Sequence, residues 1–325
     1  MQEENKEIKL DIAILTHNHK SFISKCVNSI LEQKTSFKFR IIILDDCSTD
    51  GTSDILNEFS SKYADKLLYK RNIENLGPFK SAIELSKLVN AKYYCFLDGD
   101  DYWCYDKKIQ EQIDFLEHNS EYSGCFHDAK IEQSNQSEDE HFLKRTQNQW
   151  KTYSQFNNYS SDFMPWALLQ RNIIPTASLI FRNKDIKGFL ENYKSSEFSL
   201  SWALHLEIIK GSKLKYFNET WSVYNDHPQG ISKKYDIVDF KYNNIKILES
   251  LLDDEAWIYY EPEIYSSICK EYRFILKSKK ELSKEYKEYK KSLKKYESYL
   301  QKLQKAYLKQ LKDDYYYVRD NGMVE

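Results

Sequence analysis

Residues 98–101 read Asp-Gly-Asp-Asp, and residues 45–50 read Asp-Asp-Cys-Ser-Thr-Asp. Each cluster follows a short apolar run, "YYCFL" before the first and "FRIIIL" before the second. Carboxylates a few ångströms apart repel and raise one another's pKa unless a positive charge sits among them. Asp and Gly are also ordinary turn formers, so either cluster taken singly reads as a solvated turn. Two clusters at neighbouring strand ends favour a divalent cation. Carboxylates are the hard ligands of Mg²⁺ and Mn²⁺, and a cation held by one or two of them completes its shell with phosphate oxygens. Such a site suits an enzyme that holds a diphosphate and stabilises it as it departs.

The elements that would position these residues follow from the pattern. "LDIAILT" (10–16) and "FRIIIL" (39–44) are Ile-rich runs that predict buried strands. Between them Phe22, Ile23, Cys26, Ile30 and Leu31 recur at helical spacing, with Ser21 as the expected cap. "SDILNEFSSKY" predicts a helix, "KLLYKR" a strand, "PFKSAIELSKLVN" a helix and "YYCFL" a strand. This alternation implies right-handed βαβ units and a parallel sheet, whose ligands bind at the carboxyl ends of the strands. "THNH", "DDCSTD" and "DGDD" all fall there. A further helix and a strand ending near His127 and Asp128 are expected next, then a polar insertion over 132–162. "PTASLIFR" reads as a strand, "WALHLEIIK" as a helix and "KLKYFNETWSVYNDH" as a strand running into a loop. No G-x-x-x-x-G-K-[ST] or G-x-G-x-x-G loop occurs, which counts against a P-loop kinase or a dinucleotide enzyme. A G-x-S-x-G elbow is also missing.

Composition bounds the rest. The 325 residues are 41% hydrophobic, enough for one large domain and an appendage or for two domains. No run of about 18 apolar residues is present, and "MQEENKEIKL" has neither the basic start nor the apolar stretch of a signal peptide. Cys26, Cys47, Cys95, Cys104, Cys125 and Cys269 form no CxxC pair and read as reduced thiols of a cytoplasmic protein. The net charge of −2 conceals 13 Lys against 4 Glu in residues 277–312, a local +9 that leaves −11 for the remainder. An acidic body with a basic tail does not read as a nucleic-acid-binding chain. From about residue 238 the pattern is helical. Leu282, Tyr286, Tyr289, Leu293, Tyr296, Leu300, Leu303 and Tyr307 make a heptad seam, which predicts a helix packed on its own domain or self-association. The Lys excess beside that seam suggests peripheral contact with the inner face of a membrane.

With these residues in view, "DIAILTHNHKSFISKCVNSILEQ", "IIILDDCSTDGTSDIL" and "NLGPFKSAIELSKLVNAKYYCFLDGDDYW" resemble the nucleotide-sugar-binding half of family 2 glycosyltransferases of the GT-A fold. "DDCSTDGT" is similar to the family's D-D-x-S-x-D-G-T and "DGDD" to its DXD motif, in matching order over residues 10–103. "NIIPTASLIFR" and "TWSVYNDHPQGIS" resemble its acceptor-side strand and Y-R-x-H-x-x-G segment. The resemblance implies an α/β, Rossmann-like, mostly parallel sheet flanked by helices over residues 1–235. Its nucleotide-sugar half would span about 8–128 and its acceptor half about 129–235, followed by a helical, Lys- and Tyr-rich extension over 236–325. It further implies a metal-dependent, inverting hexosyl transfer from a nucleotide diphosphate sugar, in the first instance a UDP-sugar. The acceptor would be a hydroxyl of a glycan or lipid-linked molecule in bacterial surface polysaccharide synthesis.

The same resemblance assigns roles. Thr16 and Asn18 would line the nucleotide pocket, and Asp45 or Asp46 would bond the uracil or ribose. Asp98 would lie near the ribose and sugar, Asp100 would ligate Mn²⁺ or Mg²⁺ with Asp98 in support, and Asp101 would assist catalysis or face the acceptor. His227 would contact the diphosphate or the metal. Two departures stand out. The family's Arg-Asn pair after N-x-G is replaced by Ala82 and Ile83, leaving Lys80 or Arg71 to offset phosphate charge. The Asp of its D-W pair, the general base, is replaced by Ser201, which is no base at neutral pH. Glu197, Asp128 and Asp226 are the candidate bases, with Glu207 and the His127–Asp128 pair also weighed. Ser201 keeps open a catalytically lost sugar-nucleotide-binding scaffold. A nucleotidyltransferase is a further class, although "THNHKSFI" lacks that class's Gly-rich loop.

Overall fold

A computed structural model describes residues 7–133, 140–141, 162–184, 186–193, 200–230, 236–278 and 283–320, with side chains of the last helix to residue 310. The chain divides into two compact units, Met1–Lys233 and Lys234–Glu325.

The first unit opens with the predicted alternation. Its elements are β1 (Ile8–Thr16), α1 (Ile23–Leu31), β2 (Lys38–Asp45), α2 (Thr52–Lys62), β3 (Leu67–Arg71), α3 (Pro78–Ser86) and β4 (Tyr93–Asp98). Strand β1 lies between β2 and β4, parallel to both, and β3 is parallel to β2 on the outer side. Ile41, Ile42 and Ile43 are all fully buried, as a continuous apolar run must be when helices cover both faces of a parallel sheet. On one face Leu10, Ile12 and Ile14 of β1 pack with Ile23, Cys26, Val27 and Ile30 of α1 in a single core. The expected Ser21 cap is not formed. Phe22 occupies the N-cap position, without a side-chain cap bond.

The remainder of the unit adds β5 (Tyr102–Trp103), α4 (Lys108–His118), β6 (Tyr122–Gln133), β7 (Glu140–His141) and β8 (Asp162–Phe163). These are followed by α5 (Pro165–Gln170), a 3-10 turn (Thr176–Ser178), β9 (Ile180–Arg182), α6 (Ile186–Asn192), α7 (Leu200–Ile209) and β10 (Lys213–Asp226). One sheet runs β3-β2-β1-β4-β9-β6-β10-β5, with β9 antiparallel to both β4 and β6. The expected strand "PTASLIFR" is therefore half 3-10 turn and half strand. Strand β6 also differs from expectation. It does not end at His127 and Asp128 but continues to Gln133, because β10 pairs with it along its whole length. The 132–162 insertion lies for the most part outside the described residues.

The second unit is helical: α8 (Ile237–Leu251), a 3-10 segment (Glu255–Tyr260), α9 (Glu261–Ser278) and α10 (Lys284–Asp320). The Asp236 carboxylate caps α8 by accepting from the amides of Val238 and Asp239. The Tyr seam of α10 packs inward. Tyr296 is buried, its ring stands about 6 Å from those of Tyr265 and Tyr272, and its hydroxyl donates to Glu249 of α8. Over this stretch the heptad is satisfied within the unit. Among the described residues no helix is long and apolar enough to cross a membrane.

Candidate active site

Parallel pairing sets Thr16 opposite Asp45 and Leu15 opposite Asp98, so the three strand ends share one edge of the sheet. The second-strand cluster is mostly bonded to itself and to the loops beside it. Asp45 is fully buried; one oxygen accepts from the Ser48 amide (2.9 Å) and hydroxyl (2.5 Å), the other from Ser53 (2.5 Å) and Tyr69 (3.1 Å). Four donors fill its lone-pair directions, which corrects the expectation that Asp45 reads a nucleoside. Asp46 accepts from Asn72 (2.8 Å) and from the amides of Leu76 (2.8 Å) and Gly77 (2.9 Å), fixing the loop before α3. Asp50 receives Thr52 at the start of α2 and the amide of Lys20 from the first loop.

The first loop is tied to the second by Asn18. Its backbone is left-handed (φ 58°), a region Asn tolerates, its amide donates to Ser48 (2.9 Å), and its side-chain oxygen accepts from the Thr49 amide (2.8 Å). Thr16 is buried and its hydroxyl stands 3.1 Å from Nδ1 of His19. Both abut Gly99, where an added Cβ would come within 2.6 Å of the Thr16 hydroxyl oxygen and 2.9 Å of His19 Nδ1. Only glycine fits between the two outer carboxylates of the Asp98–Asp100 turn.

That turn gathers charge. Asp98 reaches solvent, whereas Asp101 is buried. Close packing of protein atoms, then the charge of Asp100, pushes Asp98 up to about 7. Burial and the same neighbours push Asp101 well above the carboxylate range, with only the Asn225 amide, donating at 3.0 Å, acting the other way. Strand β10 brings the counterpart groups. His227 Nε2 is 3.0 Å from Asp100 Oδ2, with its ring stacked on Phe22 at 4.7 Å. The Asn225 side chain donates to the Asp100 carbonyl. His19 Nε2 is 3.6 Å from the same Asp100 oxygen, and burial holds its pKa below the ordinary imidazole value. Clustered carboxylates whose mutual repulsion a cation would offset, with two imidazoles at their edge, are a donor set that fits Mg²⁺ or Mn²⁺. Among the described residues no three His, Cys, Asp or Glu side chains form a ready-made cage, so a cation here would draw further ligands from the diphosphate.

The other expected residues are placed as follows. Arg71 donates to the Ser48 carbonyl at 2.9 Å and lies 3.7 Å from Asp45, while Lys80 is exposed in the first turn of α3. Asp226 ends β10 beside His227. Asp128 sits opposite Thr220, six residues back along β10 from Asp226, or about 20 Å of strand. This separates Asp128 from the carboxylate turn and corrects its standing as a base. His127 is fully buried, its Nδ1 donates to the Asp128 carbonyl at 2.7 Å, and burial pushes its pKa well down. Glu207 pairs with Lys210 at 3.1 Å. Glu197 lies outside the described residues. Ser201 accepts from Asn172 at 3.2 Å, and Asn172 also meets Nδ1 of His205, whose pKa burial lowers to about 3. His19 and Asn225 were not singled out from the sequence; each is adjacent to a motif residue, and only the fold shows which neighbour turns inward.

Comparison with known proteins agrees with this architecture. The family model described as "Glycosyl transferase family 2" matches residues 11–188. An uncharacterised protein of Mycobacterium tuberculosis is 26% identical over 222 residues, 68% of this chain, and the chain spans 60% of that relative's length. An Escherichia coli protein named UDP-Glc:alpha-D-GlcNAc-diphosphoundecaprenol beta-1,3-glucosyltransferase is 36% identical over 108 residues, 33% of this chain and 41% of its own. The crystal structure of Staphylococcus aureus TarS 1–349 in complex with UDP-GlcNAc superposes with a TM-score of 0.60 at 16% identity, covering 82% of this chain and 73% of TarS 1–349. At that identity the likeness shows a shared fold. The strand-end carboxylates and the family match, which covers more than half of the chain, together place it in glycosyl transferase family 2.

Proposed function

We propose that the first unit transfers a sugar from a nucleotide diphosphate sugar, in the first instance a UDP-sugar, to an acceptor hydroxyl with inversion. The acceptor is a growing bacterial surface glycan or a lipid-linked precursor of one. The observation that carries this reading is the Asp98–Asp101 turn at the end of β4, met by Asn225 and His227 from β10. Asp100 and His227 would hold a divalent cation, with Asp98 in support. When bound, that cation offsets the charge of the departing diphosphate. Asn225 keeps Asp100 and Asp101 in place, through its side chain and its amide respectively. Asp45, Asp46 and Asn18 keep the nucleotide-side loops in register through their protein bonds, and Asp46 retains one unfilled lone-pair direction that a nucleoside donor can use. Lys80, exposed at the start of α3, is the cation available to a phosphate. Asp226 takes the proton of the acceptor hydroxyl. It supplies the carboxylate that Ser201 lacks and ends β10 immediately before His227.

Calorimetry of UDP with and without Mn²⁺, followed by turnover against a panel of nucleotide sugars, tests the reading. Mn²⁺-dependent UDP binding that disappears in Asp100→Asn supports it. Binding that Asp100→Asn leaves unchanged sinks it. Ser201, bonded to Asn172 at the position where the family resemblance implies a base, favours the second reading of a non-catalytic sugar-nucleotide-binding subunit. In that case nucleotide binds and no panel member is turned over.

A further inference from the structure

Helix α10 carries nine Lys between residues 284 and 309: Lys284, Lys287, Lys290, Lys291, Lys294, Lys295, Lys302, Lys305 and Lys309, every one exposed. At 100° per residue all nine fall within an arc of roughly 140°, opposite Tyr289, Tyr296 and Leu303. The three acids of the stretch, Glu285, Glu288 and Glu297, lie outside that arc. Glu297 pairs with Arg273 of α9 at 2.8 Å, and Glu288 stands 4.0 Å from Lys284. Among the described residues no carboxylate lies within salt-bridge distance of Lys291, Lys294, Lys305 or Lys309. The opposite face is turned inward: Tyr289 and Tyr296 meet Tyr242, Tyr265 and Tyr272 of α8 and α9. What the helix presents outward is therefore mainly charge, with Tyr299, Tyr307 and Leu308 also exposed towards its end.

We propose that this Lys face docks the protein on an anionic lipid bilayer surface. Residues 284–309 form an uninterrupted helix about 39 Å long, so the nine ammonium groups can meet one plane of headgroups together. No Arg occurs between residues 284 and 310. Arg is the side chain suited to bidentate recognition of individual phosphates, whereas Lys acts as a mobile point charge suited to a diffuse negative surface. This distinction favours a bilayer over a defined phosphate polymer. Nine like charges gathered on one arc also repel one another along the helix, a cost that an anionic plane relieves. The inference stands apart from the proposed sugar transfer and is read without it.

The test is sedimentation of the full chain with vesicles of phosphatidylglycerol and phosphatidylcholine, compared with phosphatidylcholine alone. The comparison variant is Lys291→Gln/Lys294→Gln/Lys305→Gln/Lys309→Gln. Gln keeps nearly the helix propensity of Lys, and circular dichroism checks that the helices persist. The wild-type protein is expected to bind the anionic vesicles at low salt, to ignore the neutral ones and to be released by 0.5 M NaCl. The variant should bind the anionic vesicles about tenfold or more weakly. Equal binding by the two proteins overturns the proposal, as does wild-type protein that stays in the supernatant. Binding to soluble polyphosphate without binding to vesicles also overturns it, in favour of a polymer. So does a vesicle-free change of sedimentation coefficient in the variant, which would make the face an interface between copies of the chain.

Discussion

Nε2 of His227 lies 3.0 Å from Oδ2 of Asp100, across 127 residues of sequence. The ring is stacked on Phe22, so three distant segments fix one imidazole against one carboxylate. His227→Ala removes the imidazole without touching the sheet. Mn²⁺-dependent UDP binding should weaken about a hundredfold or more, since even the partner of a ligand is worth about tenfold to hundredfold at a metal site and His227 would be a ligand itself. UDP affinity measured without metal should stay as it was. Calorimetry of both titrations decides it, and an equal loss in the two would assign His227 to the nucleotide and not to the cation.

Gly99 makes the turn between Asp98 and Asp100 where Thr16 and His19 leave no room for a methyl group. Gly99→Ala must displace one of them, at about 1–3 kcal/mol as for other overpacked sites. Because His19 faces Asp100, the same change should weaken cation-dependent binding. Denaturation with urea reads the first effect and calorimetry the second. An Ala variant as stable as wild type would show that the loop yields freely and that the fit is not needed.

Asp45 and Asp46 act through the loops they hold. Asp45→Ala abandons two serine hydroxyls, a tyrosine hydroxyl and an amide inside the protein, and should cost about 3 kcal/mol or more of stability. Asp46→Ala frees the 72–77 loop, with a smaller loss of stability and a clear loss of UDP affinity even without metal. Unfolding curves set beside UDP titrations separate the two. Asp45→Ala with native stability and weakened nucleotide binding would restore a direct contact for Asp45.

The strand ends were legible because Ile runs and helical spacing are local signals, and each acidic cluster is adjacent to one. Where a carboxylate spends its lone pairs was not. Asp45 is filled by Ser53 and Tyr69, which arrive on α2 and β3, so its neighbours in sequence cannot report it. Polar residues at His127 and Asp128 resemble a strand exit, whereas pairing with β10 carries β6 onward and buries the ring. His19 matters only because residue 99 has no side chain, a relation between two loops. The tail's Lys and Tyr were plain in the sequence, but whether the Tyr seam met its own unit required α8 and α9 to be placed. Lys108 was invisible for the same kind of reason. In "YDKKIQEQ" it reads as one more surface charge, and tertiary packing alone buries it.

Lys108 is fully buried, with Nζ donating to Gln112 at 2.8 Å and lying 4.2 Å over the ring of Trp103. Burial lowers its pKa from 10.5 to about 8. The unfolded chain thus binds the proton more tightly than the folded one. The cost of the buried charge is fully present below pH 8, shrinks as the pH rises from 8 to 10.5, and is absent above, where both states are neutral. A depression of that size corresponds to about 3 kcal/mol at pH 7. Lys108→Met removes the charge while keeping apolar bulk over Trp103, and Gln112 stays bound through its amide to the carbonyls of Cys125 and Ser178. The variant should therefore be more stable than wild type at pH 7 by up to about 3 kcal/mol, less whatever Gln112 loses. By pH 10 the charge-linked part of that gap should fall to about 1 kcal/mol. Buried Cys95 and Cys125, whose thiols burial pushes up to about 12, impose an opposite slope on both proteins, so the difference between the two is the quantity to follow. Urea denaturation of the pair at pH 7, 8.5 and 10 measures it. A gap that stays constant across this range would mean that Lys108 is already neutral at pH 7 or is reached by water.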